Sequence, residues 1–344
     1  MLENLTVEQL RGILEVRHAR AQVLVERAVE GGARARARVL EHFPHVLPLD
    51  SPFGATEGSL IDVPSLEIYS EIRGRQKALY GEDDRVEVAD CLDAARRLRA
   101  RSVAAIVERR NLIATAGGSV SIGGRTLEQR YAMAGKVLCQ REAFRTQPSA
   151  AVGSAFLVAP DIIATAHHCL NAGNLGTRCV VFDFETGADR IAPTTFRTDQ
   201  MYGLGQYLAG AFDDDGTDWA LVRLDRSVND RSFLQLARNS RPPDLTPLYV
   251  IGHPSGLPKK IAGNAEIRDN TPPTHFVANL DTYGGNSGSP VFNALTHEVE
   301  GILARGDADF VPLGDCYASL ICPLSGCSGE DCVRIAPVAE FLAS

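Results

Sequence analysis

The ten residues Gly284 to Asn293 read Gly-Gly-Asn-Ser-Gly-Ser-Pro-Val-Phe-Asn and set one serine, Ser287, behind two glycines. That order suits a turn that presents a nucleophilic hydroxyl to a peptide carbonyl. Glycines at 284 and 285 let the backbone bend tightly enough to aim the amides of Gly285 and Ser287 at one point, as an oxyanion hole requires. Taken by itself, the segment also reads as an ordinary loop, since Gly, Ser and Pro are the usual turn residues. A serine hydroxyl is a weak nucleophile until a base removes its proton, and the base must be oriented by a carboxylate, so a His and an Asp should lie elsewhere in the chain. Gly153 to Leu170 reads as an apolar strand, a Pro160-Asp161 turn, a second apolar strand and then the pair His167-His168 followed by Cys169. Between that pair and the serine, Thr217 to Leu224 sets Asp218 at the head of another apolar run, while Asp213, Asp214 and Asp215 read as a solvated acidic turn before it.

Thr165-Ala166-His167-His168-Cys169 resembles the Thr-Ala-Ala-His-Cys signature of chymotrypsin-like serine peptidases, and Thr217-Asp218-Trp219-Ala220-Leu221-Val222-Arg223-Leu224 resembles that family's Asn-Asp-Ile-Ala-Leu-Leu-Arg-Leu strand. The order His, Asp, Ser, each on its own motif, is more specific than any one of the three. The resemblance implies His168 as general base, because the base directly precedes the cysteine; His167 stands where the family has alanine. It further implies Asp218 as the orienting carboxylate and Ser287 as the nucleophile. The Gly-Asn-Ser-Gly-Ser-Pro-Val-Phe form, Ile251 to Pro258 and Gly81 to Arg85 are most similar to the bacterial glutamyl endopeptidases. The expected fold is therefore mainly β, a chymotrypsin-like double antiparallel β-barrel, with the triad in the cleft between barrels. The likeness covers roughly residues 78 to 310. Animal trypsins place an aspartate just before the nucleophile to pair with a newly cut N-terminus; Asn286 is uncharged, so activation by that ion pair is not expected.

Specificity is read on the same resemblance. Asp281, six residues before Ser287, matches the floor of the primary pocket in trypsin-like enzymes and favours a basic substrate side chain. Thr282 matches a residue that helps glutamyl endopeptidases bind an acidic one. Leu303 stands where those enzymes have a histidine, which weakens the acidic assignment, and Arg305 either replaces that histidine or is a solvated rim residue. The alternatives are a peptidase-like binding module that does not cleave, and an esterase; the intact triad disfavours the first and nothing suggests an ester pocket.

The remaining pattern agrees with two barrels. From Asp84 onward, short apolar runs at 102–107, 154–158, 162–166, 180–184, 219–224, 248–251, 274–280, 290–292 and 298–303 alternate with turns and read as strands, and Asp93 to Arg101 reads as a helix. Residues 1–76 are organised differently. Thr6-Val7-Glu8-Gln9 forms a capping box ahead of apolar positions at helical spacing, Gly31-Gly32 ends that helix, and a second runs from Ala33 to Phe43. The expected domains are thus an N-terminal helical extension, 1–76, and a peptidase domain, 77–344.

Among 344 residues, 44% are hydrophobic and the net charge is −8 with no basic run, which argues against nucleic acid or an anionic membrane as the main partner. No apolar stretch approaches the roughly 20 residues of a membrane span. Met1 to Thr6 lacks the start of a secretion signal, so a cytoplasmic setting is expected unless a leader was removed. No cofactor or metal is implied. Cys316, Cys322, Cys327 and Cys332 have spacings that fit zinc only partly, leaving local disulfides or reduced buried thiols as the stronger readings; Cys169 lacks the family's usual partner on the preceding strand and has Cys179 as nearest alternative. The substrate is expected to be a protein or peptide, and the extension either packs, silences the site, or docks a regulatory or sensor protein. If it silences the site, deleting residues 1–76 raises hydrolysis of a small peptide substrate; unchanged activity in that assay would leave docking or packing.

Overall fold

A computed structural model describes residues 79–343 except 239–240, 307–308 and 325–326, all within the second of the chain's two units, Gly74–Ser344. The helices expected within residues 1–76 lie outside the described residues. Two closed antiparallel barrels of six strands each make up the bulk of what is described. The first runs round through Met201–Phe212, Asp218–Leu224, Ile162–Thr165, Ala151–Ala159, Val103–Glu108 and Arg178–Phe182. The second joins Pro247–Gly252, Pro290–Asn293, Val299–Arg305, Glu330–Arg334, His275–Ala278 and Lys260–Asp269, closed by pairing of the first with the last. Closure leaves no strand edge unpaired within either ring. This is the expected mainly β, chymotrypsin-like architecture.

Alternation along the strands sends Ile106, Phe156, Phe182 and Leu221 into the first core, and Leu248, Ile267, Phe276 and Leu303 into the second, all at 1% exposure or less. Burying each such side chain contributes roughly 1.5–3 kcal/mol. The nine expected strands are all present to within a few residues. Met201–Phe212, Lys260–Asp269 and Glu330–Arg334 are not among them, because glycines and polar residues interrupt their alternation. In Met201–Phe212 those interruptions are structural: the pairing register shifts between Leu204 and Gln206 and again between Tyr207 and Ala209, as bulges do when they bend a barrel strand. In Lys260–Asp269, Asn264 takes a positive φ of 51° beside a similar shift.

Helix Ala94–Ala100 forms where expected, since the Asp93 carboxylate accepts the otherwise orphaned amides of Ala95 (2.8 Å) and Arg96 (3.2 Å). Helix Leu127–Met133, with a Thr126–Gln129 capping box, was not expected and belongs to the connection between the first two barrel strands. Cysteine pairing also departs from expectation. Cys322 bonds Cys327 locally, but Cys316 bonds Cys139, 177 positions away, and Cys91, Cys169, Cys179 and Cys332 remain thiols. The Cys169–Cys179 pairing is therefore not made, and no His/Cys/Asp/Glu cluster suited to a metal occurs among the described residues. Nor is any described helix long and apolar enough to cross a membrane.

A strap, residues 79–87, precedes the first barrel yet is sewn into the second. Val86–Glu87 pairs with Lys260–Ile261, and the buried Lys260 ammonium reaches the equally buried Glu87 carboxylate at 2.9 Å. Burial pulls the Lys260 pKa down to about 8 although Glu87 opposes the shift. Removing one member of such a pair strands the other charge in the interior. Glu87→Ala is accordingly expected to cost about 3–5 kcal/mol in equilibrium urea unfolding; a loss under 1 kcal/mol would show that the strap is not part of the folded unit.

Candidate active site

The barrels meet at the turn that carries Ser287, and the turn's peptide planes are fixed one by one. The Gly284 carbonyl accepts the Ser255 amide (2.5 Å) and the Asn286 carbonyl accepts the Ser289 amide (2.9 Å). Because C=O and N–H of a trans peptide point opposite ways, these bonds turn the amides of Gly285 and Ser287 away from the protein side of the turn. Gly285 has φ +93°, and a Cβ there would stand 2.6 Å from the His253 carbonyl oxygen and 2.8 Å from the Gly256 nitrogen, so only glycine fits. Gly288, at φ +84°, is wedged against the Ser154 carbonyl and the Thr165 hydroxyl.

Ser154, from strand Ala151–Ala159 of the first barrel, pins this turn of the second. Its amide donates to the Ser287 carbonyl (2.8 Å) and its hydroxyl to the Gly285 carbonyl (2.9 Å). The role was missed in the sequence, although Ser154 lies within the Gly153-Ser154-Ala155 stretch that opens the histidine motif. The Cys169 thiol donates to the same Ser287 carbonyl at 3.5 Å, which brings the segment 166–169 alongside the nucleophile candidate.

His168 follows strand Ile162–Thr165, and Asp218 opens the neighbouring strand Asp218–Leu224, so barrel pairing alone brings the two together. The fully buried Asp218 carboxylate accepts the His168 amide through Oδ1 (3.2 Å) and meets His168 Nδ1 through Oδ2 (2.7 Å). With Nδ1 committed, the other ring nitrogen, Nε2, is left buried without a hydrogen bond. The histidine pair divides cleanly: His167 turns to strand Met201–Phe212, bonding Tyr207 Oη (3.0 Å) and stacking on Phe212, and burial lowers its pKa. For His168, burial alone would also disfavour the imidazolium, but the Cys169 sulfur and the Asp218 carboxylate beside it prevail and raise its pKa to about 10.

The expected pocket residues stand differently. Asp281 is buried, with its carboxylate already accepting the amides of Tyr80 (2.5 Å) and Asp84 (3.0 Å). It is therefore an anchor for the strap rather than an open floor for a basic side chain. Burial raises the Asp281 pKa, and burial together with the Asp281 charge raises that of Asp84 to about 7, so the two carboxyls compete for one proton. Thr282 is wholly buried and donates to Glu330 Oε2 (2.5 Å), a partner with no signal in the sequence. Leu303 is a core residue whose carbonyl accepts the Gly288 amide (2.8 Å), so it supports the serine turn instead of lining a pocket. Arg305 bonds Asp331 and is not a free rim cation.

Residues 153–302 match the trypsin-like peptidase domain family. That segment, somewhat under half of the chain, is similar to a trypsin-like peptidase domain. Among curated proteins, no relative is matched by sequence. Solved structures similar to the chain include the VesB protease of Vibrio cholerae, with 13% identity and a TM-score of 0.46 over 76% of this chain and 66% of that one. A Glu endopeptidase shares 14% identity with a TM-score of 0.45 over 77% and 97% of the two chains. The Rv3671c protease of M. tuberculosis, in its active form, shares 16% with a TM-score of 0.39 over 73% and 83%.

The His168–Asp218 pair has a direct spectroscopic consequence. Imidazole nitrogen resonances of His168 should titrate well above the ordinary histidine value of about 6.5, and Asp218→Asn should bring the midpoint down. Since the folded pKa is raised, the pair's contribution to stability is full below about pH 6.5 and fades as pH rises towards about 10. A midpoint near 6.5 in the unsubstituted protein would refute the assignment.

Proposed function

We propose that the chain is a serine endopeptidase acting through His168, Asp218 and Ser287. The observation that carries this reading is the division of labour on one imidazole: Nδ1 is tied to a buried carboxylate, while Nε2 is uncommitted beside the segment that carries Ser287. His168 Nε2 takes the hydroxyl proton as Ser287 Oγ attacks the scissile carbonyl, and Asp218 holds the tautomer and stabilises the imidazolium. The Gly285 and Ser287 amides receive the oxyanion. His168 then returns the proton to the leaving amine, and a water activated in the same way releases the acyl group. A base with a raised pKa drives this transfer strongly but is available only when unprotonated, so turnover should climb with pH through the neutral and alkaline range.

Peptides and proteins are the substrate class that the domain family supports. Preference for a basic residue does not rest on Asp281, whose carboxylate is occupied. Residues 1–76 are proposed to regulate or target the site. A cytoplasmic setting is proposed as the sequence reads it, while disulfides such as the two found here persist where thiols are oxidised.

A fluorophosphonate that labels activated serines tests the reading directly by intact mass. The full chain should gain one adduct and Ser287→Ala none. Loss of Ser287 or His168 should lower peptide turnover on the order of 10⁴-fold or more. Absence of an adduct both in the full chain and in a chain starting at Ala78 would sink the proposal, whereas an adduct confined to the shorter chain would make residues 1–77 inhibitory.

A further inference from the structure

The peptide that leads into Gly285 is held by a part of the molecule that a disulfide governs. Strands Phe310–Leu313 and Cys316–Ser319 form a hairpin that follows the barrel strand Val299–Arg305. Asp309, at its base, accepts the Gly284 amide with both carboxylate oxygens (3.0 and 2.9 Å). At its far strand, Ser319 receives the Tyr283 hydroxyl and gives its own hydroxyl to Glu142, whose other oxygen accepts the Ser319 amide at 3.0 Å. Phe310 packs on the Tyr283 ring at 4.9 Å. Two consecutive residues before the oxyanion donor therefore depend on where the hairpin sits.

The hairpin in turn is moored to residues 137–142. Tyr317 and the 137–139 backbone exchange two hydrogen bonds (2.7 and 2.9 Å), and the Cys139–Cys316 disulfide locks that pairing. This moored segment lies in the connection between two first-barrel strands, whereas the hairpin is a separate two-stranded sheet in the connection between two second-barrel strands. Hydrogen bonds at so short a contact are weak without the cross-link, because a hairpin of a few residues is marginal by itself. Cys139 is buried and Cys316 partly exposed, so Cys316 is the more accessible end of the bond for an attacking thiolate.

We propose that Cys139–Cys316 is a thiol–disulfide exchange site whose opening slackens Tyr283–Gly284 and lowers the reactivity of Ser287. The reductant is a dithiol. Its thiolate attacks Cys316 Sγ, the S–S bond breaks with release of the Cys139 thiolate, which takes up a proton, and the second reductant thiol closes on the mixed disulfide. Two protein thiols and one cyclic disulfide result, a two-electron transfer. The inference rests on the peptidase reading for its effect on Ser287, but its effect on the backbone stands apart from that reading.

The experiment measures amide hydrogen exchange over 281–287 and the rate of fluorophosphonate addition in the oxidised full-length protein, in the dithiothreitol-reduced protein, and in Cys139→Ser/Cys316→Ser, which leaves Cys322–Cys327 intact. Asp309→Asn and Glu142→Gln, both with the disulfide closed, cut the same path without touching a cysteine, so the test does not hang on the double variant folding. Faster exchange at 283–285 and labelling slowed by about 10-fold or more are expected in each, the scale that follows a small misplacement of reacting groups. Unchanged exchange after mass spectrometry confirms the opened bond overturns the inference even if every form labels. Faster exchange with no labelling in any form, nor in a chain starting at Ala78, supports the coupling and instead defeats the peptidase reading.

Discussion

Everything at the candidate site depends on one residue of the first barrel holding two carbonyls of the second. Through its amide and hydroxyl Ser154 fixes the Ser287 and Gly285 carbonyls, and Thr165 in turn donates to the Ser154 carbonyl at 2.7 Å. His168 and Asp218 are positioned by first-barrel strands, whereas Ser287 is positioned by second-barrel strands. Ser154 makes the shortest of the hydrogen bonds that reach the Ser287 carbonyl from the first barrel, the Cys169 thiol adding a longer one. A hydrogen-bonded peptide is a stiffer spacer than a packed methyl group, because its geometry is directional as well as repulsive.

Around that bridge several buried charges meet a partner nearby. Asp218 faces His168, Lys260 faces Glu87, and Arg85 lies over the Tyr283 ring at 4.2 Å while bonding Asp83 at 2.7 Å. Such pairs add little to net stability relative to apolar packing, but they are strongly destabilising when split. They thus favour one arrangement over near neighbours. The Asp84 and Asp281 carboxylates work in the same direction, since the amides they accept tie the strap to the strand Lys260–Asp269 and to the segment that leads to the serine.

The sequence made the barrels legible wherever a strand was apolar and short, and it singled out His168, Asp218 and Ser287 as candidates because each lies in a compact local motif. His168 was separated from His167 by its place before Cys169, and the distinct partners of the two rings agree with that choice. What stayed hidden was whatever depends on contacts distant in the chain. Asp281 reads as a pocket floor only if nothing fills the space above it, and the strap two hundred positions earlier does. Asp309 and Glu330 lie in no recognisable pattern, and Ser154, though inside the histidine motif, gives no sign of its role, since a single polar residue that supports a turn from another strand leaves no periodic trace. Met201–Phe212 was missed for the converse reason: its glycines read as punctuation, yet they serve as bends inside a continuous strand.

The strap also settles where this domain can be cut out. A reading by barrels alone would begin the folding unit at Val103, the first strand of the first ring. Residues 80–87 nevertheless supply the amides that occupy Asp281, the carboxylate that accepts the Gly263 amide, and the counter-ion of Lys260. A transplant or fusion that starts after Glu87 would thus carry a buried ammonium and a vacated carboxylate beside the serine turn. A cut that keeps these contacts must therefore fall ahead of the strap, some two dozen residues before the first barrel strand.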